Sequence, residues 1–220
     1  MDAVTCLKGR MSIRGFKPEP VPRSLLQEVF DLARWSPSYK NSQPWEVFLL
    51  SGERKEALSR EMLRLLEAGA PNTPDLAAPD EWPPAEEAKI NHLYQSRKEA
   101  MGIDLLDPKV IRQAKKANYS FYGAPHAVYL FQEKTLSQWS LFDLGLFAQN
   151  LMLAAYAKGL GTVPQAFVTD YAREIKEFLG IPASKRLVLG LSLGYPDPVA
   201  PVNQLRTDRS SVEDFVRWLE

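Results

Sequence analysis

Between Leu141 and Ala157 the chain reads LFDLGLFAQNLMLAAYA, a helical run that is apolar on nearly every side. A helix at a protein surface keeps one polar face, so a helix without one must be covered all round. Asp143, Gln149 and Asn150 interrupt the run, and it is short for a membrane span, which places it inside protein. Two arrangements cover both of its sides: the chain's own core and sheet, or a second copy of the chain.

Around that helix the pattern predicts an α+β chain. Residues 2–8 predict a short helix, and GRMSIRGFKPEP an irregular basic segment that Pro18 and Pro20 keep out of helix or central strand. Pro22 suits a first helical turn, and Leu25, Leu26, Val29, Phe30 and Ala33 form one stripe of a helix that stops at Pro37. WEVFLL reads as a buried strand stopped by Gly52, and residues 53–68 as a helix with Leu58, Met62, Leu65 and Leu66 on one side. The stretch APNTPDLAAPDEWPP holds five prolines and leads into a polar helical region through residue 120. Neither flank looks self-sufficient, so 70–120 is expected to be a lid or excursion within a single domain spanning 1–220. HAVYLFQ is a second strand, residues 137–158 the long helix, and GTVPQAF a short extended segment. Residues 170–179 form a helix ended by Gly180, RLVLGLSLG a third clear strand, and Ser211 with Asp214 a capping box opening a last helix, VEDFVRWLE. Strands scattered among helices, without βαβ alternation, argue for a sheet covered by helices rather than a doubly wound parallel sheet.

Composition removes several functions. With 27 basic and 27 acidic residues the net charge is zero, so no overall field draws the chain to nucleic acid or anionic lipid, and any anion site must be local. Cys6 stands alone, which excludes an internal disulfide or thiolate zinc cluster and fits a reducing cytoplasm; it reads as a buried apolar residue of the first helix. His92 and His126 lack ligand spacing, so no metal site and no Ser-His-Asp chemistry is expected. GLGTVP has Pro164 where a dinucleotide fingerprint needs its third glycine, and it follows a helix instead of a strand.

What remains is polar residues that structure alone does not require. Arg10, Ser12 and Arg14 alternate, so an extended segment points all three the same way. Guanidinium forks bind phosphate and Ser adds a neutral donor, although a solvated charged loop explains the triplet equally well. Arg206 and Arg209 lie on the irregular approach to the last helix. Arginines from both chain ends, if gathered, would neutralise a phosphomonoester of about −1.5 to −2 charge.

GRMSIRGF, WSPSYKNSQPWEVFLLSG, GLGTVPQAF and LGYPDPVAPVNQLRTDR, in that order, resemble the FMN-dependent nitroreductase family, and NYSFYGAP with DLGLFAQNLMLAA resembles its nitrobenzoate-reductase-like branch. The resemblance runs over nearly the whole chain. It implies an α/β/α sandwich with a mixed, mainly antiparallel sheet, and a homodimer with exchanged arms and FMN at the interface. It further implies reduction of a nitroaromatic, quinone or related small-molecule acceptor by NADH or NADPH in ping-pong turnover, with no catalytic side chain because flavin N5 carries the chemistry. Relatives of this fold also dehalogenate, reduce enones or break down flavin, and a flavin-binding protein without turnover is a further alternative.

By the same resemblance Arg10 and Ser12 would hold the FMN phosphate and ribityl end, Arg14 the pyrimidine edge, and Arg206 and Arg209 would complete the phosphate site. Pro37, Ser38, Tyr39 and Asn41 would reach the other subunit's flavin, with Gln43 and Trp45 seating their loop. Pro164, Gln165 and Ala166 would face the ring, with Gln165 or Ala166 offering a backbone N–H to N5. Asn118, Phe121 and Tyr39 would line the substrate side. Met11 stands where the family often has a second Arg, and Tyr39 and Lys40 are larger than is common in that loop.

Overall fold

The computed structural model describes residues 1–219. Its sheet has four strands, β1 (Glu46–Ser51), β2 (His126–Glu133), β3 (Gly161–Gln165) and β4 (Lys185–Gly194), in the order β1-β2-β4-β3. All neighbours are antiparallel, and the parallel component is one isolated bridge between Ser12 and Thr162. GTVPQAF therefore supplies a full edge strand.

Strand β2 is buried on both faces because helices pack on each side of it. Val128 and Leu130 face one core with α2 (Arg23–Ala33) and α6 (Gln138–Ala157). Ala127, Tyr129 and Phe131 face the other, shared with α3 (Gly52–Glu67), α5 (Pro108–Tyr119) and α7 (Ala172–Leu179). This is the α/β/α sandwich, and the period-two alternation along β2 produces it. Helix α6 buries Leu144, Phe147, Leu151 and Ala155 against the first core but leaves Trp139 and Phe142 about 60% exposed, at 63% and 61%. Its own chain covers only one side of it. No helix among the described residues is long and apolar enough to cross a membrane.

The short α1 (Ala3–Gly9) carries the buried Cys6 and is capped by Asp2, whose carboxylate accepts from Thr5 N at 3.0 Å. The polar region through residue 120 is two helices, α4 (Pro84–Met101) and α5, and α4 buries none of its residues. The proline-rich stretch before them is pinned to the body: Asp75 accepts from Lys176 Nζ at 2.8 Å and from Leu187 N at 2.8 Å, and Thr73 N donates to Asp170 O at 2.6 Å. The last helix differs from expectation. Its capping box forms, but α8 is only Val212–Phe215, and Val216 is extended. A single turn with Phe215 exposed has no packed face to propagate it. The expected continuation ends at Glu220, which lies outside the described residues.

His126 is a structural histidine. It is buried, Val21 N donates to Nε2 at 3.0 Å, and Nδ1 lies 2.5 Å from Ser51 Oγ. Because Nε2 accepts, the neutral ring carries its proton on Nδ1. Burial, and then the Lys55 charge, hold its pKa below the ordinary 6.5. As pH falls through about 6.5 the unfolded chain takes up a proton that the folded imidazole still refuses, so folding stability is present above that pH and declines below it. Urea denaturation at pH 7.5 and 5.5 should show lower stability at the acid value. His126→Phe should reduce that difference while costing about 1–3 kcal/mol at neutral pH, through the unpaired Val21 N–H; an unchanged pH dependence would locate the effect elsewhere.

Candidate functional site

The two chain ends meet beside β3. Arg10 N closes α1 on Cys6 O, and Ile13 N then donates to Thr162 O at 3.0 Å, so residues 10–14 run alongside the edge strand. Ile13 packs inward on Gly161, where an added Cβ would stand 2.8 Å from Ile13 Cγ1. Only glycine permits that approach. Arg10, Ser12 and Arg14 consequently share the opposite side, where they line one cavity.

From the other end Asn203 clamps this segment. Its Oδ1 accepts from Arg14 N at 2.8 Å and Gly15 N at 3.1 Å, and its Nδ2 donates to Gly15 O at 2.8 Å and Asp197 O at 3.0 Å. Arg206 and Arg209 follow a few residues later, with Arg206 Nη1 reaching Gly9 O at 3.5 Å. The cavity they complete has a volume of about 750 Å³. Its charged lining is Lys8 and five arginines, 10, 14, 97, 206 and 209, and no carboxylate.

None of those six cations pairs with a carboxylate among the described residues. Asp208, next in sequence to Arg209, turns to His92 Nε2 at 3.1 Å. Burial and the neighbouring charges of Arg209 and Arg206 push the Arg10 pKa below its ordinary value. Burial and then Arg14 do the same to Arg97. Gathered, partly desolvated like charges cost folding energy, and such clusters mark functional sites. A dianion relieves the cost.

Pro37–Gln43 does not line this basin in its own chain. Both oxygens of the buried Asp143 accept from Tyr39 N, at 3.1 and 3.2 Å, and Gln43 N donates to Ser38 Oγ at 2.9 Å. Below the loop Asn150 Nδ2 donates to Ser36 Oγ at 2.9 Å, and Trp45 stacks on Phe147 at 4.9 Å. Lys40, Asn41 and Gln43 are left-handed, with φ of 52°, 55° and 46°. None is glycine, so this turn stores strain that the Asp143 anchor helps hold. Tyr39 is exposed and stacks on Trp139 at 6.3 Å.

At the end of β3, Pro164 and Ala166 are exposed while Gln165 is buried. Gln165 Nε2 donates to Asn118 O and Oδ1, both at 3.1 Å, and its Oε1 accepts from Ser192 Oγ at 2.5 Å. Its side chain faces the body. Ala166 N–H makes no hydrogen bond among the described residues. The placement of Asn118 and Phe121 on a substrate wall needs correction: Asn118 is buried around Gln165, and Phe121 is fully buried, edge-on to Tyr129 at 6.1 Å. Tyr119 and Phe121 fill the second core, while Tyr122, with Val110, Ala114 and Ala117 of α5, lines a neighbouring cavity.

Sequence reasoning missed Arg97, Asn203 and the anchoring role of Asp143. Asp143 had a signal, a lone carboxylate in an apolar helix. Arg97, in an evenly polar helix, had none.

Residues 7–195 match the Nitroreductase family. The chain belongs to that family. It is 34% identical to a 4-nitrobenzoate reductase of Pseudomonas putida over 226 residues, covering 99% of this chain and 95% of that one. It is 32% identical to nitroreductase NfnB of Mycolicibacterium smegmatis, covering 96% and 90%. Among solved structures, the FMN-dependent nitroreductase NfnB of Mycobacterium smegmatis in complex with NADPH superposes with a TM-score of 0.93 at 30% identity, over 99% and 98% of the chains. An FMN- and NADPH-dependent NfnB from sphigopyxis sp. strain HMH gives 0.95 at 26% identity over the full length of both. In this nitroreductase the clamp carries the geometry of the basin. Asn203→Ala should destabilise it by about 1–3 kcal/mol, because two backbone N–H groups lose their acceptor together; a denaturation midpoint equal to wild type would show that the ends are held otherwise.

Proposed function

We propose that the chain is an FMN-dependent oxidoreductase that uses NAD(P)H to reduce nitroaromatics, quinones or related electron-poor acceptors. The carrying observation is the basin of six cations without a carboxylate, which fits a phosphomonoester. Arg10, Arg206 and Arg209 would hold the phosphate, Ser12 the ribityl end, and Arg14 the pyrimidine edge. Bound there, the flavin supplies hydride and electron transfer through N5. Arg14 would contribute a cation that favours negative charge on the ring, and Ala166, exposed beside Pro164 and the inward-turned Gln165, would have its backbone N–H free to donate to the flavin. The named relatives support the same reading through their nitroaromatic, FMN and NADPH dependence.

The working unit in this proposal is a homodimer with the cofactor between subunits. Trp139 and Phe142 on α6, with Phe215, Trp218 and Leu219 near the C-terminus, are all more than about 60% exposed, and this apolar surface suits a second copy of the chain. Pro37, Ser38, Tyr39 and Asn41, held rigid by Asp143, would cross to the partner's ring. Reductant and acceptor would then take turns at one site. We read residues 1–220 as one domain with an excursion at 70–120, acting in the cytoplasm.

Purified protein should be yellow, dimeric by sedimentation, and bleached anaerobically by NADH or NADPH; colourless protein that ignores added FMN sinks the proposal. Arg10→Gln and Arg209→Gln should each raise the FMN Kd about tenfold or more, the loss of one charge-assisted contact. Asp143→Ala should release the strained loop, lowering turnover and dimer stability while leaving the phosphate contacts intact; unchanged turnover would remove the loop from the site.

A further inference from the structure

Beneath the exposed end of β3 lies a buried polar network that the fold itself does not require. Ser192 sits on β4 with none of its surface exposed, between Val163 of β3 and Ala127 of β2, and its neighbours along the strand are the buried Leu191 and Leu193. An apolar side chain would serve there, and a buried hydroxyl costs desolvation unless it is paired. Its oxygen lies 2.9 Å from Phe121 O and 2.5 Å from Gln165 Oε1. A hydroxyl has one proton to donate. Phe121 O already accepts from Ala124 N at 3.0 Å, so the proton goes to Gln165 Oε1, which has no other donor among the described residues. Gln165 Nε2 is held at the opposite end by Asn118 O and Oδ1. A buried amide tied at both ends is locked in one rotamer, and it holds the peptide that follows it.

That peptide carries the Ala166 N–H. Along this edge of β3 Thr162 O is taken by Ile13 N, and Pro164 has no N–H, which makes Ala166 the next donor available to a ligand. Ala166 O is capped by Thr169 N at 2.9 Å and by Thr169 Oγ1 at 2.7 Å, and the Tyr129 hydroxyl donates to Val168 O at 3.2 Å. Residue 190 of β4 must be glycine for this turn to pack so close, because a Cβ there would collide with Val168 Cγ2. The groups around the N–H are thus held from beneath while the N–H itself is unpaired.

We propose that Ser192 is a positioning residue: through the Gln165 amide it sets the direction of the Ala166 N–H, and with it the balance between oxidised and reduced cofactor. Being fully buried, it touches neither cofactor nor substrate. The cofactor half of this inference rests on the flavin reading, and the positioning half does not. The bare N5 of an oxidised flavin accepts a hydrogen bond, whereas the reduced nitrogen carries its own hydrogen, so an aimed N–H favours the oxidised ring. Groups that only orient a contacting donor tune a site in this way.

The test follows the isotope-labelled Ala166 amide by NMR in the protein as purified, and the midpoint potential after FMN reconstitution, in wild type, Ser192→Ala, Gln165→Met and the double variant. Ser192→Ala should move the Ala166 resonance. It should also weaken oxidised-FMN binding relative to reduced-FMN binding by about threefold or more, read as a rise in the potential. Gln165→Met should do the same, and Ser192→Ala should add nothing in that background because the link is already cut. A hydroxyl that served packing alone would lower the melting temperature and leave both readouts at their wild-type values. Ser192→Cys, a weaker donor, takes the place of Ser192→Ala if that variant does not fold, as judged by thermal melting. An unmoved Ala166 resonance in Ser192→Ala, or a Ser192→Ala effect that persists in Gln165→Met, overturns the proposal, and a moved resonance with an unchanged potential overturns its cofactor half. Protein that stays colourless with added FMN while the resonance moves refutes the flavin reading and supports the positioning role.

Discussion

One amide side chain ties the two ends of this chain together, and the basin depends on it. Asn203 uses both halves of its amide, accepting from Arg14 N and Gly15 N and donating to Gly15 O and Asp197 O. The cations themselves oppose the approach, since Arg10 is repelled by both Arg209 and Arg206, and backbone bonds such as Asp197 N to Gly15 O and Lys17 N to Tyr195 O support the clamp. The backbone is held by neutral hydrogen bonds, and the charged side chains are left free to face a ligand. Separating the groups that hold from the groups that bind is how a site is kept in place against its own electrostatics.

A similar division recurs at the other two loops. The left-handed turn at Lys40 and Asn41 is fixed from outside the turn by Asp143, which leaves the Asn41 side chain exposed at the surface. The left-handed Phe121 and Tyr122 are fixed through Ser192, whose hydroxyl lies 2.9 Å from Phe121 O and also meets Gln165. Strained non-glycine backbone persists where surrounding structure over-determines it. Here the buried amide of Gln165 joins α5, β4 and the end of β3, so the exposed Ala166 N–H is set by a network wholly beneath it.

Much of the architecture was legible because it is local. HAVYLFQ was read as a strand, the stripe from Leu25 to Ala33 placed α2, and the all-round apolar character of α6 demanded cover on both sides. The last helix was overread, because a capping box specifies where a helix starts and not whether packing will extend it. At the site, the alternation of Arg10, Ser12 and Arg14 was visible, as was the basic pair at 206 and 209. Their juxtaposition was only a conditional statement until Asn203 supplied the link.

By itself, then, the sequence determined most of the element order, a sheet covered by helices, the family resemblance and the types of residue available to an anion. Only the tertiary structure decided which of them share a cavity. Arg97 enters the basin from a helix with no distinguishing pattern, while the polar Asn118 and the aromatic Phe121, in a promising motif, are buried. Periodicity reports the face on which a residue lies. It carries no information about which distant face comes to meet it, and that is settled by contacts such as Arg14 to Asn203, nearly the full length of the chain apart.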